Sequence, residues 1–152
     1  MDRAQKTEIV NMCMVCRDGC VLVQDKVHEE WGGLTFPGGH VERDEAFADA
    51  VIREVWEETG LTIEAPQLCG VKDWVNADGS RYLVLFYKTD RFSGELRSSG
   101  EGSVFWMELE ELLRIDGRLA PDMKAMIQVF LRDDLSEFFY VKENGKWRYV
   151  LK

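Results

Sequence analysis

"REVWEETG", Arg53 to Gly60, closes the most helical stretch of the chain with three glutamates in its last turns. Residues three and four apart share a helix face, so Glu54 neighbours both Glu57 and Glu58. Each like-charge pair costs about 0.2–0.5 kcal/mol. A carboxylate near the negative C-terminal end of a helix costs about another 0.3–1 kcal/mol. The helix is expected over "DEAFADAVIREVWEETG", Asp44 to Gly60. Asp44 and Glu45 suit its positive start, and Gly60 suits the left-handed position after the last turn. Phe47, Val51 and Val55, with Ala48 and Ile52 beside them, mark an apolar face. A solvated acidic surface is the plain reading of such a charge run. Two neighbours favour a ligand. Gly38-Gly39 precede the helix, where backbone can approach a bound group closely, and Glu45 adds a fourth acid. A divalent cation relieves the repulsion directly; magnesium takes oxygen ligands, binds through few carboxylates and bridges to phosphates.

Around this helix the chain has 152 residues, 45% hydrophobic and 31% charged, which fits one domain with a real core. A single domain over residues 1–152 is expected. The formal net charge of −9 weighs against a grip on long nucleic acid. An anionic substrate stays open, since bound cations can reverse the local field. No apolar run approaches the roughly 18 residues of a membrane span, and "MDRAQKTEIV" lacks a secretory hydrophobic segment. The expected location is cytoplasmic, with no membrane partner. Cys13 and Cys16 form a C-x-x-C, but on a strand the odd spacing sends the two thiols to opposite faces. No second such pair completes a zinc site, so these read as buried thiols.

The rest of the chain mixes strands and helices. "TEIVNMCMVCR" and "VLVQ", split by Asp18-Gly19, read as a hairpin. "DKVHEEWGG" reads as loop and "LTFPGG" as a short strand. "LTIEAPQLCGVKDWV" is strand interrupted at Pro66, and "RYLVLFYKT" is a strong strand after the turn "NADG". Ser93 to Ser103 reads as loop, "VFWM" as strand and "ELEELLRI" as helix. A further helix is opened by Pro121 and Asp122. The tail, about residues 137–151, is a hairpin around Asn144-Gly145. Its aromatic residues could close the core or bury against a second copy in a homodimer. The lack of strict βαβ alternation argues for an α+β fold, a mixed sheet covered by helices on its faces.

Gly39 to Leu61 follows the pattern G-x5-E-x7-R-E-U-x-E-E-x-G-U, with U a bulky aliphatic residue, filled by Gly39, Glu45, Arg53, Glu54, Val55, Glu57, Glu58, Gly60 and Leu61. This resembles the complete Nudix signature. From average residue usage a chance match is on the order of one in 10⁹ per starting position. The resemblance implies an α/β/α sandwich with a mixed central sheet and a loop-helix-loop motif. It also implies a hydrolase that cleaves a nucleoside diphosphate linked to another group, using Mg²⁺ or Mn²⁺. Carried onto this chain, Glu57 and Glu58 would be the main metal ligands, and Glu54 a ligand or the base that activates water. The Gly39 carbonyl would reach the metal, and Arg53 would hold a glutamate in place. Glu101, in "SSGEGSVFW", is the candidate for a further acid from outside the motif.

The reaction follows from the motif more firmly than the substrate does. The compact layout, with "NMCMV" and "EEWGGLTFPGGHVE", resembles the MutT-type branch, which sanitises oxidised nucleotides such as 8-oxo-dGTP and releases a nucleoside monophosphate and pyrophosphate. The prolines Pro37, Pro66 and Pro121 include none some fifteen residues past the motif, a modest vote against ADP-ribose. Asn11, Trp31, Trp74 and Asp122 are the candidates for base recognition. The alternatives are another substrate (a dinucleoside polyphosphate, ADP-ribose or an RNA 5′ end) and a non-catalytic nucleotide-binding module. Such a module is expected to have lost a motif glutamate, and none is lost here.

Overall fold

The computed structural model describes residues 1–152. The strands are β1 (Thr7–Arg17), β2 (Cys20–Lys26), β3 (Gly33–Thr35), β4 (Leu61–Glu64), β5 (Gln67–Val75), β6 (Arg81–Thr89), β7 (Arg91–Gly94), β8 (Gly102–Glu108), β9 (Glu137–Glu143) and β10 (Lys146–Leu151). The helices are α1 (Phe47–Thr59), α2 (Leu109–Arg114) and α3 (Met123–Leu131). An eight-stranded sheet runs β10-β9-β5-β6-β1-β2-β3, with β8 on β2, and β4 pairs with β7 apart from it. β1 with β6 and β5 with β9 are parallel, and the other ladders are antiparallel. The fold is α+β, a curled mixed sheet between helices.

Strand alternation explains the two cores. Val10 and Met14 of β1 face a cluster with Met123, Ile127 and Phe130 of α3. Cys13 and Val15, one residue out of step, face a cluster with Val51 and Val55 of α1. Cys13 and Cys16 accordingly pack on opposite sides of the sheet, and all four cysteines are free thiols. Burial pushes the Cys13 thiol far up, so it stays protonated and inert.

Both hairpins turn where expected. Asp18-Gly19 and Asn144-Gly145 take positive φ values (49° and 78°; 50° and 76°), the left-handed pair that a two-residue turn matched to strand twist requires. Gly60 ends α1 at φ 77°, its N–H donating to the Trp56 carbonyl.

Four expectations are corrected. α1 starts at Phe47, because Asp44 sits at φ 62° and Glu45 turns back onto Arg53. Its buried face is Ala50, Val51, Val55, Glu58 and Thr59, while Phe47 and Ala48 are exposed. Residues 91–94, read in part as loop, form β7 because β4 offers a partner. Asp122 precedes α3 in the left-handed region (φ 57°) and makes no capping bond.

Candidate active site

The site begins with a loop stitched to a strand edge. Residues 37–41 run beside β1: Cys13 N–H donates to the Pro37 carbonyl (2.8 Å), Asn11 N–H to Gly39 (2.8 Å) and Val41 N–H to Ile9 (3.0 Å). Asn11 Oδ1 also accepts from Gly39 N–H at 3.2 Å. Both glycines are dictated by crowding. A Cβ on Gly38 would strike the Asn11 carbonyl, and one on Gly39 would strike the Glu54 carboxylate. The loop therefore presses its backbone against the acidic side of α1.

Arg53 organises that side. Its guanidinium pairs with both oxygens of Glu45 (2.8 and 3.0 Å), with Glu54 at 3.0 Å and Glu57 at 3.3 Å, and donates to the His40 carbonyl at 2.9 Å. The fork of five donors suits this multiple grip, which a lysine cannot reproduce. It holds the Glu45 carboxyl down to about 2. Burial raises the Glu54 carboxyl.

Glu58 lies on the core side of α1, 3% exposed, and accepts from Gly38 N–H at 2.9 Å. Burial first, and then a proton shared with Glu101, push its carboxyl up to about 8. Glu101, brought in from the turn before β8, is held low by that shared proton and by Lys26, 3.5 Å away. Five carboxyls, Glu45, Glu54, Glu57, Glu58 and Glu101, thus gather along α1. Arg53, Lys26 and the shared proton hold them, and no three acidic, histidine or cysteine side chains converge at metal-ligand distance. The donor set still fits a hard divalent cation: it is all oxygen, and one member already carries an exchangeable proton.

The structure divides the four candidates for base recognition. Trp31, Trp74 and Asp122 line one cavity of about 810 Å³, and Asn11 stands apart at the glycine loop. Trp31 is half exposed and stacks on His28 at 3.5 Å, whose Nδ1 accepts from Glu30 and Trp31 N–H. Trp74 stacks on Tyr82 at 4.4 Å. Asp122 accepts a short hydrogen bond from the Tyr140 hydroxyl. His40 pairs with Glu8 at 2.7 Å on the surface.

Several residues of these two regions escaped the sequence reading. Lys26 contacts Glu101, and Tyr140, Trp147, Arg148 and Tyr149 of the C-terminal hairpin build a wall of the cavity. The period-two spacing of Trp147 and Tyr149 puts both on one face of β10, which was legible; that this face meets Trp31 and Trp74 was not.

Known proteins resemble this chain in sequence and in fold. The NUDIX domain family matches residues 6–130. The uncharacterized Nudix hydrolase YvcI of Bacillus subtilis is 33% identical over 108 residues, 68% of this chain and 67% of that protein. The phosphatase NudJ of Shigella boydii is 23% identical over 128 residues, 82% of this chain and 84% of that one. The crystal structure of a MutT protein from Bacillus halodurans superposes with a TM-score of 0.74 at 29% identity, covering 93% of this chain and 97% of the other.

Proposed function

The chain belongs to the Nudix family of hydrolases, which act on phosphoric anhydrides, and we propose that it is a Mg²⁺-dependent nucleoside triphosphate diphosphatase of the MutT type, with 8-oxo-dGTP as the first substrate to test. The observation that carries this reading is the glycine loop packed against Glu54 and Glu58, with Glu101 brought to Glu58 and Glu57 held beside Glu54 by Arg53.

In this reading Glu57, Glu58 and Glu101, with a backbone carbonyl of the Gly38-Gly39 loop, would hold the ion. The Gly39 carbonyl already accepts from Asn11, so Gly38 joins Gly39 as a candidate. When bound, the ion supplies charge neutralisation for the phosphate oxygens and acidifies a water for in-line attack. Arg53 keeps Glu45, Glu54 and Glu57 aimed inward. Glu54, half-buried beside Gly39, takes the proton of the attacking water. Glu58, its carboxyl raised by burial, would have to be deprotonated to serve as a ligand. Water adds to one phosphorus, the anhydride bond breaks, and a nucleoside monophosphate and pyrophosphate leave.

The aromatic cavity supports a nucleobase as the recognised group: rings for stacking and Asp122 for a polar edge. Its volume, larger than one base needs, favours a second reading in which the linked group is itself a nucleoside, a dinucleoside polyphosphate. The deciding experiment is hydrolysis of 8-oxo-dGTP beside dGTP with Mg²⁺, followed by chromatography of both products. A large preference in kcat/KM for the oxidised nucleotide supports pool sanitisation. Equal, slow turnover of both directs the search to dinucleoside polyphosphates and then ADP-ribose.

A further inference from the structure

Gln24, on β2, is fully buried, and neither its carboxamide nitrogen nor its oxygen has a hydrogen-bond partner in the fold. Four buried side-chain polar atoms are left in this way. Two are Gln24's, and a third is the Asn11 amide nitrogen, whose own oxygen already serves Gly39. The orphaned donors therefore concentrate beside the glycine loop. A buried amide without partners destabilises a fold, whereas a methionine or leucine of similar size fills the space without that cost. Packing alone gives no reason for a glutamine at this position.

Strand alternation and pairing locate the side chain. Leu22, two residues before it, packs in the cluster under α1 with Val51 and Val55. So does Val104, its partner across the ladder to β8. Lys26, two residues after it and on the same face of β2, reaches Glu101. On the facing helix, Val51, Val55 and Glu58 form one buried stripe, of which Glu58 is the last member. Glu58 accepts from the N–H of Gly38, three residues after Thr35, and Thr35 pairs with Gln24. The Gln24 carboxamide thus stands between the apolar cluster and the acids, on the side of the sheet toward which Glu58 points.

We propose that Gln24 is a positioning residue for Glu58: its amide N–H donates to the Glu58 carboxylate and fixes the direction of that carboxylate toward a divalent cation. This deepens the proposed function and rests on its assignment of Glu58 as a ligand. A ligating carboxylate keeps lone pairs that need donors, and outer partners of this kind set the orientation of the ligand. Gly38 N–H supplies one donor from the glycine loop. Gln24 supplies a second from β2. Glu58 is engaged with Gly38 and Glu101 in this structure. The bond to Gln24 forms by rotation of the long glutamine side chain, whose terminal torsion is broad. Gln24 therefore lowers the stability of the metal-free fold and raises its affinity for the ion, and replacing it moves the two in opposite directions.

The test is Mn²⁺ binding, followed by the electron paramagnetic resonance signal of the free ion, in the wild type, Gln24→Met and Gln24→Leu. Thermal melting of the metal-free proteins is measured beside it. Both variants are expected to bind Mn²⁺ at least about tenfold more weakly and, without metal, to melt no lower than the wild type. Leucine repeats the measurement in a second shape, so a packing defect in one variant does not decide the result. Wild-type affinity in both variants would reduce Gln24 to a space filler and overturn the inference, while the metal site itself stood. A wild type that binds no Mn²⁺ overturns the site and the inference together. Lower melting of both variants, or failure of both to fold, would show the amide already bonded in the metal-free fold and overturns the inference as well.

Discussion

Glu58 is the residue whose placement costs the fold most. It faces the core of its own helix, where burial and Glu101 push its carboxyl up to about 8. A carboxyl whose folded value is raised stabilises the fold fully below its unfolded value, and that contribution is lost as pH rises through the folded value. Metal-free protein should therefore melt at progressively lower temperature between about pH 5 and pH 8, the loss being on the order of a few kcal/mol. Glu58→Gln should flatten this profile and raise the melting temperature at pH 8; a variant whose pH profile parallels the wild type would contradict the assignment. Glu57 behaves differently. It is half exposed and paired with Arg53, so Glu57→Gln should change metal-free stability by less than about 0.5 kcal/mol while removing most hydrolysis. Helix spacing alone sets Glu54 against Glu57 and Glu58 alike; the structure puts the cost at Glu58, because Arg53 already answers Glu57. Arg53→Lys should retain the charge but lose the shared grip on Glu45, Glu54 and Glu57, with kcat falling at least about tenfold. Full activity in that variant would assign Arg53 a merely structural role.

At the scale of elements, the glycine loop and the C-terminal hairpin do separate work. The loop is clamped to the edge of β1 by three backbone bonds and backed by the Glu54 carboxylate. Gly38→Ala drives a methyl group into the Asn11 backbone carbonyl and should cost about 1–3 kcal/mol, measured by chemical denaturation; an unperturbed midpoint would mean the loop has slack. The hairpin of β9 and β10 lies outside the residues matched by the family, yet it supplies Tyr140, Trp147 and Tyr149 to the cavity. Trp147 is half exposed, so Trp147→Ala should leave stability nearly unchanged. If it stacks on the base, its loss should weaken nucleotide binding by roughly 1–3 kcal/mol, about 5- to 150-fold. Unchanged KM and product affinity would remove the hairpin from recognition. The exposed outer edge of this sheet carries Lys146, Arg148 and Lys152, charges that discourage another strand from adding there.

On the scale of the whole molecule, one sheet separates two apolar clusters, α3 on one side and α1 on the other. Strand β1 serves both, contributing Val10 and Met14 to one face and Cys13 and Val15 to the other. Neither cluster can come apart without exposing the back of the other. Unfolding is expected as one cooperative transition, with tryptophan fluorescence and far-ultraviolet circular dichroism coincident. Two resolved transitions would divide residues 1–152 into separate units. Phe130, buried and stacked on Phe86 at 4.4 Å with its edge against Phe36, is the keystone of the larger cluster. Phe130→Ala should cost about 3–5 kcal/mol.

The amino-acid sequence by itself determined whatever local chemistry decides. Asp18-Gly19 and Asn144-Gly145 specify their turns because few other residues tolerate those dihedral angles. The spacing of Glu54, Glu57 and Glu58 puts three acids on one side of a helix whatever surrounds it, and the family follows from that spacing. Tertiary structure alone decided which acid is buried, since that depends on what packs against α1. It alone brought Glu101 to Glu58 across 43 residues of chain, and it alone carried Trp31, Trp74, Asp122 and Tyr140 from distant parts of the chain to one cavity. Those placements rest on strand pairing and sheet curl, which are set by the sum of many weak contacts between distant segments, and no local pattern encodes that sum.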